Sequence, residues 1–287
     1  MTLDFELKHT STPQVAVLLF HGMTGSPFEM KKYGQYLHGF GYDVYAYCLS
    51  GHGDYVDKIK QVTFQDWLKD AYSQFEKLNS KYKKVFIGGL CLGAVLCLAI
   101  SIKYQNRVAG IIALSTTLFL DGWRMPWYSF LLPIGLSTII RYYYTYPECE
   151  PYGIKNIKTR AIIQRLLCKS DAALDNFPMT CIYELLELSK YVRNQLHKVN
   201  SPILIIHSNE DDLTSKKSAY FVYNKISSLD KRIFILDNSY HMVLYDNEKE
   251  FVHKESSFFI KSLIEYSGTF KISKNVFSTE LKNENFI

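Results

Sequence analysis

Several things are missing from this chain of 287 residues, and each absence excludes a class of function. Its six cysteines (Cys48, Cys91, Cys97, Cys149, Cys168, Cys181) form no CxxC pair and have no ligand-like spacing. That argues against a structural zinc site or a disulfide framework, and for a reducing compartment. There is no long basic run, and a net charge of +5 is mild, so a nucleic-acid partner is not expected. No G-x-x-x-x-G-K-[ST] motif occurs, and no G-x-G-x-x-G follows the first strand-like run, which removes phosphoryl-transfer and dinucleotide roles. Apolar runs long enough to span a bilayer are lacking as well: Asp121, Arg124 and two prolines interrupt the one candidate. The N-terminus has no basic segment leading into a long apolar one. Its first apolar run, "VAVLLF", reads as a buried strand rather than a signal peptide, so a cytoplasmic protein is expected.

What is present is a rhythm. Short apolar runs at 15–20, 43–48, 84–89, 108–115, 202–207 and 232–237 have the length and composition of strands buried on both faces. Helical patterns at 28–39, 64–79, 92–104, 215–227 and 248–266 lie between them or after the last. This alternation predicts an α/β fold with a mostly parallel, doubly wound sheet. It breaks between about 116 and 200, where some 85 residues stand in place of a short crossover. We expect 1–115 and 201–267 to form the core, 116–200 an inserted helical cap with helices near 157–169 and 179–197, and 268–287 a loosely attached extension. Aromatics are abundant, with 22 Tyr and 18 Phe, and many crowd the start of the cap.

Four segments carry residues suited to chemistry. Gly89-Leu90-Cys91-Leu92-Gly93 has the strand–turn–helix spacing of a nucleophile elbow, G-x-S-x-G, with cysteine in place of serine. Glycines on either side let strand and helix pack closely, and a helix N-terminus favours the thiolate. A buried cysteine at the start of an apolar helix is the plainer alternative. In "IIHSNEDDLTS" (205–215), an acid would sit at the carboxyl end of a strand, where open α/β sheets place their sites. Asp211 is preferred to Glu210 and Asp212, against the alternative of an N-cap for the next helix. "LDNSYHMVLYD" (236–246) puts His241 just after the last strand, whereas His253 falls within a helix. "LLFHGMTGSP" (18–27) supplies an early glycine loop, so that the amides of Met23 and Leu92 could face an oxyanion.

Taken together these blocks, with "LSGHGD" (49–54), resemble the α/β-hydrolase superfamily, specifically its carboxylesterase and monoacylglycerol-lipase-like branch. The resemblance spans residues 15–246 and implies an acyl-transfer triad of Cys91, His241 and Asp211, with no metal or organic cofactor. Cysteine departs from the usual serine, although dienelactone hydrolases and polyhydroxyalkanoate synthases also carry cysteine at this elbow. The expected reaction is hydrolysis of carboxylic esters with short- to medium-chain acyl groups through a covalent acyl-enzyme. A thioesterase or acyltransferase using the same cysteine, or a non-catalytic binding scaffold, are the alternatives. The expected partner is a small acyl ester or thioester, and Trp123, Trp127, Tyr128 and Phe130 are candidates to bind it. An apolar remainder of the cap could mediate dimerisation or rest on a bilayer surface.

Overall fold

The computed structural model describes residues 4–9, 14–23, 25–53, 56–126, 129, 131–147, 150–167 and 176–265. Its centre is a seven-stranded sheet in the order β1-β3-β2-β4-β5-β8-β9. The strands are β1 (Phe5–Leu7), β2 (Val15–Phe20), β3 (Asp43–Ala46), β4 (Lys84–Leu90), β5 (Gly110–Leu114), β8 (Ile203–Ser208) and β9 (Lys231–Leu236). All neighbours are parallel except β1, which pairs antiparallel with β3 at the edge. The α/β-hydrolase fold anticipated from the sequence is therefore present. β1 escaped prediction because three residues carry no readable periodicity.

Period-two alternation along the strands sends side chains to two separate cores. On β2, Ala16, Leu18 and Phe20 enter the layer beneath α3 (Phe64–Asn79) and α4 (Leu92–Tyr104), while Val17 and Leu19 face α1 (Lys31–His38) and α9 (Lys249–Glu265). The helix α4 is apolar all round, and its residues from Leu92 to Ile102 are buried without exception. A helix of that composition is stable only inside a core. It lies against the sheet on one side and against α3 and α7 on the other. α3 begins with a polar cap: Asp66 Oδ2 accepts the Thr63 amide at 2.9 Å and the Thr63 hydroxyl at 2.7 Å.

Between β5 and β8 the chain leaves the sheet. This stretch holds α5 (Leu132–Leu136), β6 (Thr145–Pro147), α6 (Ile157–Leu167), β7 (Asn176–Pro178) and α7 (Met179–Arg193), with β6 and β7 pairing antiparallel. The helices α6 and α7 answer the periodicity at 157–169 and 179–197; the short β6–β7 pair had no signal. Leu185, Leu188 and Val192 of α7 join the core above α4, and Glu184 Oε2 accepts the Phe64 amide at 2.9 Å. The expected extension at 268–287 lies outside the described residues. A short α2 (Val56–Ile59) precedes α3, and α8 (Lys217–Lys225) links β8 to β9.

The β4–α4 junction has no room for side chains at its glycines. A Cβ on Gly93 would stand 2.2 Å from the carbonyl oxygen of Phe20, and one on Gly89 would stand 2.2 Å from the backbone of Gly93. Backbone cannot yield as a flexible side chain would. We expect Gly93→Ala to destabilise the protein by about 3 kcal/mol, the upper range for overpacking. Gly135→Ala, which meets nothing within 4 Å, should cost nothing. Denaturant midpoints of the two variants, compared with the native protein, check this.

Candidate active site

At that junction Cys91 has φ 56° and ψ −115°, a left-handed conformation that a side-chain-bearing residue adopts only under constraint. The constraint is hydrogen bonding. The Cys91 amide donates to Leu114 O at 3.0 Å, and its carbonyl accepts from the amides of Ala94 and Val95. The thiol is thus held at the N-terminus of α4, above the carboxyl edge of the sheet. Thr117, just beyond β5, places its hydroxyl 3.2 Å from Cys91 Sγ.

Two further strand ends converge there. Asp211 follows β8 and is buried; its Oδ1 accepts the amides of Leu213 and Thr214, each at 2.9 Å. Both of its oxygens contact His241 Nδ1, at 3.0 and 2.8 Å. His207 Nε2 also stands 3.5 Å from Oδ2. His241 follows β9, is buried, and has its backbone pinned: its carbonyl accepts the Ser115 hydroxyl at 2.7 Å, and its amide reaches Asp212 Oδ1 at 3.4 Å. The remaining ring nitrogen, Nε2, is buried without an aligned hydrogen-bond partner, while the Cys91 thiol lies near enough to perturb it.

The three side chains shift one another's proton affinities. Burial alone would push His241 down, but the Asp211 carboxylate, and then Cys91, hold it well above the ordinary histidine value. Burial would raise Asp211, yet the charge and hydrogen bond of His241 bring it below the usual carboxylate value. Burial likewise opposes ionisation of Cys91; His241, the Thr117 hydroxyl and the Leu92 amide outweigh it and lower the thiol. Both shifts run in the direction of a thiolate beside an imidazolium.

The early glycine loop is braced from behind. Burial pushes His21 down to about 3, so its ring is neutral; Nδ1 donates to Gly22 O at 2.8 Å and Nε2 accepts the Leu49 amide at 3.3 Å. Because the peptide is planar, fixing the Gly22 carbonyl fixes the Met23 N–H on the opposite side. His52 Nε2 lies 2.6 Å from the Met23 carbonyl and holds the next peptide. Leu92, whose amide faces the sulfur, begins α4.

Cys91, Met23 and His241 open onto a cavity of ≈ 610 Å³, within the range of ligand sites. Its wall is mostly apolar and includes Leu120, Met125, Leu132, Met179, Ile182 and Leu213. Three charged residues also line it. Arg124 lies 3.6 Å from Asp212, whose carboxyl is raised by burial. Glu29 accepts the Gly22 amide at 2.8 Å and is also raised by burial. Glu29 and Thr117 were not anticipated. Thr117 occupies the carboxyl end of a strand, a placement that could have flagged it, whereas nothing in "SPFEM" marks Glu29. Trp123, expected among substrate-binding residues, is instead 56% exposed, packs on the Tyr240 ring and donates Nε1 to Glu210 O at 2.9 Å. The neighbouring Arg124 and Met125 line the cavity instead. Trp127, Tyr128 and Phe130 lie outside the described residues.

Elsewhere, His9, His38 and Asp43 bring one ligand atom each within 4.8 Å of one another. Asp43 already accepts the His9 amide and the Tyr82 hydroxyl, and the two rings stack at 3.9 Å, so the group clasps the β1 edge. No helix among the described residues is long and apolar enough to cross a membrane.

A mostly parallel sheet with these residues gathered at its carboxyl edge is the α/β-hydrolase fold. Residues 11–249 match the family described as serine aminopeptidase, S33 (Hydrolase_4), and the chain belongs to that family. It is 24% identical over 229 residues to a carboxylesterase of Bacillus subtilis, covering 79% of this chain and 85% of that one. It is 25% identical over 236 residues to a thermostable monoacylglycerol lipase of a Bacillus species, covering 79% and 83%. Among solved structures, one of the metagenome-derived lipolytic enzymes LipS and LipT superposes with a TM-score of 0.76 at 25% identity, covering 90% of this chain and 97% of that one.

The buried pair makes its own prediction. His241 should titrate well above the ordinary histidine value of about 6.5, and Asp211→Asn should bring it down, because the carboxylate is the main cause of the rise. Ring NMR signals of His241 followed across pH measure both values.

Proposed function

We propose that the protein hydrolyses carboxylic esters of short- to medium-chain acyl groups, with Cys91 as nucleophile, His241 as base and acid, and Asp211 as the group that orients it. The observation carrying this reading is the double contact of Asp211 with His241 Nδ1, which leaves Nε2 turned to the cysteine side at the mouth of an apolar cavity.

Cys91 Sγ attacks the acyl carbonyl, forming a C–S bond and sending the carbonyl electrons to oxygen. The amides of Met23 and Leu92 receive that oxyanion, preorganised by His21 and by α4. Collapse breaks the C–O bond to the alcohol, and His241 passes a proton from Nε2 to the departing oxygen. Water then attacks the thioester while His241 takes its proton; the C–S bond breaks, and carboxylic acid and thiolate are released. Asp211 holds the imidazole in one tautomer and stabilises its charged form throughout.

The stretch 116–200 acts as a cap over this chemistry. Leu120, Met125, Leu132, Met179 and Ile182 would hold the acyl chain, and the core supplies the reacting atoms. This division suits esters with an apolar acid.

The test is turnover of p-nitrophenyl esters from acetate to decanoate. Cys91→Ala should reduce kcat/KM by about 10⁴-fold, the scale on which triad members act, with His241→Ala similar. The preferred chain length should exceed acetate. Undiminished turnover in Cys91→Ala would remove the cysteine from this role, and an inert native protein toward every ester would favour a binding scaffold.

A further inference from the structure

Thr117 has no place in the triad, yet it touches the sulfur. It lies in the turn after β5, buried, on the wall of the cavity. Its hydroxyl stands 3.2 Å from Cys91 Sγ and, equally, 3.2 Å from the carbonyl oxygen of Ser115. One proton thus has two acceptors. The backbone around it is fixed: Ser189 on α7 donates to Thr117 O at 2.9 Å, and Ser115, at φ 44°, donates its hydroxyl to the His241 carbonyl. The turn therefore braces the nucleophile with one side chain and the histidine with another.

We propose that Thr117 is a further catalytic residue, donating its hydroxyl to the Cys91 thiolate and thereby steering the enzyme toward thioesters and aryl esters over alkyl esters. This rests on the reading of Cys91 as nucleophile. With a neutral thiol, the hydroxyl turns to the Ser115 carbonyl. With a thiolate it rotates about one C–O bond onto sulfur, where the charged acceptor makes the stronger bond. No heavy atom moves. In the tetrahedral intermediate the sulfur is covalently bound and neutral, a weak acceptor. Thr117 therefore favours every step in which the C–S bond breaks and sulfur regains its electron pair.

That preference has two consequences. In deacylation, water adds to the thioester, its proton passes to His241, and expulsion of the thiolate is assisted. In acylation by an alkyl ester, the same assistance returns the intermediate to reactants, because an alkoxide leaves less readily than a stabilised thiolate. A leaving thiolate or phenolate competes on equal terms. Acyl donors whose leaving groups are about as acidic as a thiol are the ones this sulfur can process efficiently.

The sulfur's surroundings define the controls. It is faced by the His241 ring, with Asp211 behind, and by the Leu92 amide; Glu29 and the Arg124–Asp212 pair share the cavity. Glu29→Gln separates titration of that carboxyl from titration of the thiol.

The experiment follows carbamidomethylation of Cys91 by iodoacetamide across pH, read by intact mass, in the native protein, Thr117→Val, Thr117→Ser and Glu29→Gln. The same proteins are assayed for kcat/KM on S-phenyl thiooctanoate and ethyl octanoate. Thr117→Val should raise the alkylation midpoint by about one pH unit, equivalent to about tenfold in thiolate population, and lower the thioester-to-ethyl-ester ratio by a similar factor. Thr117→Ser should restore both, and the shift caused by Thr117→Val should persist when it is made in the Glu29→Gln background. Equal midpoints and equal ratios in native and Thr117→Val proteins would overturn the proposal. Should Thr117→Val fail to fold by circular dichroism, Thr117→Ala takes its place under the same criteria. Failure of the nucleophile reading is separate: it appears as turnover in Cys91→Ala, whereas alkylation still reports whether Thr117 acts on the sulfur.

Discussion

A carboxylate sealed from water and bonded through both oxygens to one imidazole nitrogen is the constraint around which this site is built. Burying a charge is costly unless it is paired and hydrogen-bonded. Asp211 meets that requirement with His241 and with the Leu213 and Thr214 amides. Each partner removes a freedom. The amides fix the carboxylate, the carboxylate fixes the tautomer and plane of His241, and Ser115 and Asp212 fix the backbone that carries the ring. What remains is a single nitrogen aimed at the cysteine side, with a raised affinity for protons.

The sheet makes this convergence possible. Strands β4, β5, β8 and β9 lie side by side and run in one direction, so the residues after their carboxyl ends meet at one edge. Cys91, the Ser115–Thr117 turn, Asp211 and His241 are far apart in sequence but are delivered by four adjacent strand ends. Depth of burial protects the geometry. The helix behind Cys91 is apolar on every side, and it could shift only by opening the core.

Much of this was legible in the residues. Six strands and seven helices announced themselves by length and periodicity, since strands buried on both faces read as unbroken apolar runs. Cys91, Asp211 and His241 stood out because each follows such a run in the expected order. β1, β6 and β7 were invisible, having three residues each. Glu29 and Thr117 were missed for another reason: Thr117 meets Cys91 only through tertiary packing, and Glu29 reaches back seven residues to the Gly22 amide with no motif to mark it. Trp123 shows the converse limit. An aromatic-rich segment says that apolar surface must be covered, but not which ring does the covering, and this one packs outside on Tyr240.

The seam between the inserted stretch and the histidine loop has a consequence for how the cavity can open. Met242 donates its amide to Gly153 O at 2.8 Å, and the amides of Lys155 and Asn156 both donate to Asp246, at 2.7 and 2.8 Å. A Cβ on Gly153 would press within 3.1 Å of His241 Cβ. Residues 153–156 are thus riveted to the same loop that carries His241. Displacing residues 153–156 as a rigid piece would carry the His241 loop with them. Cavity shape and the placement of the His241 ring are linked at Gly153, and a side chain there presses on both.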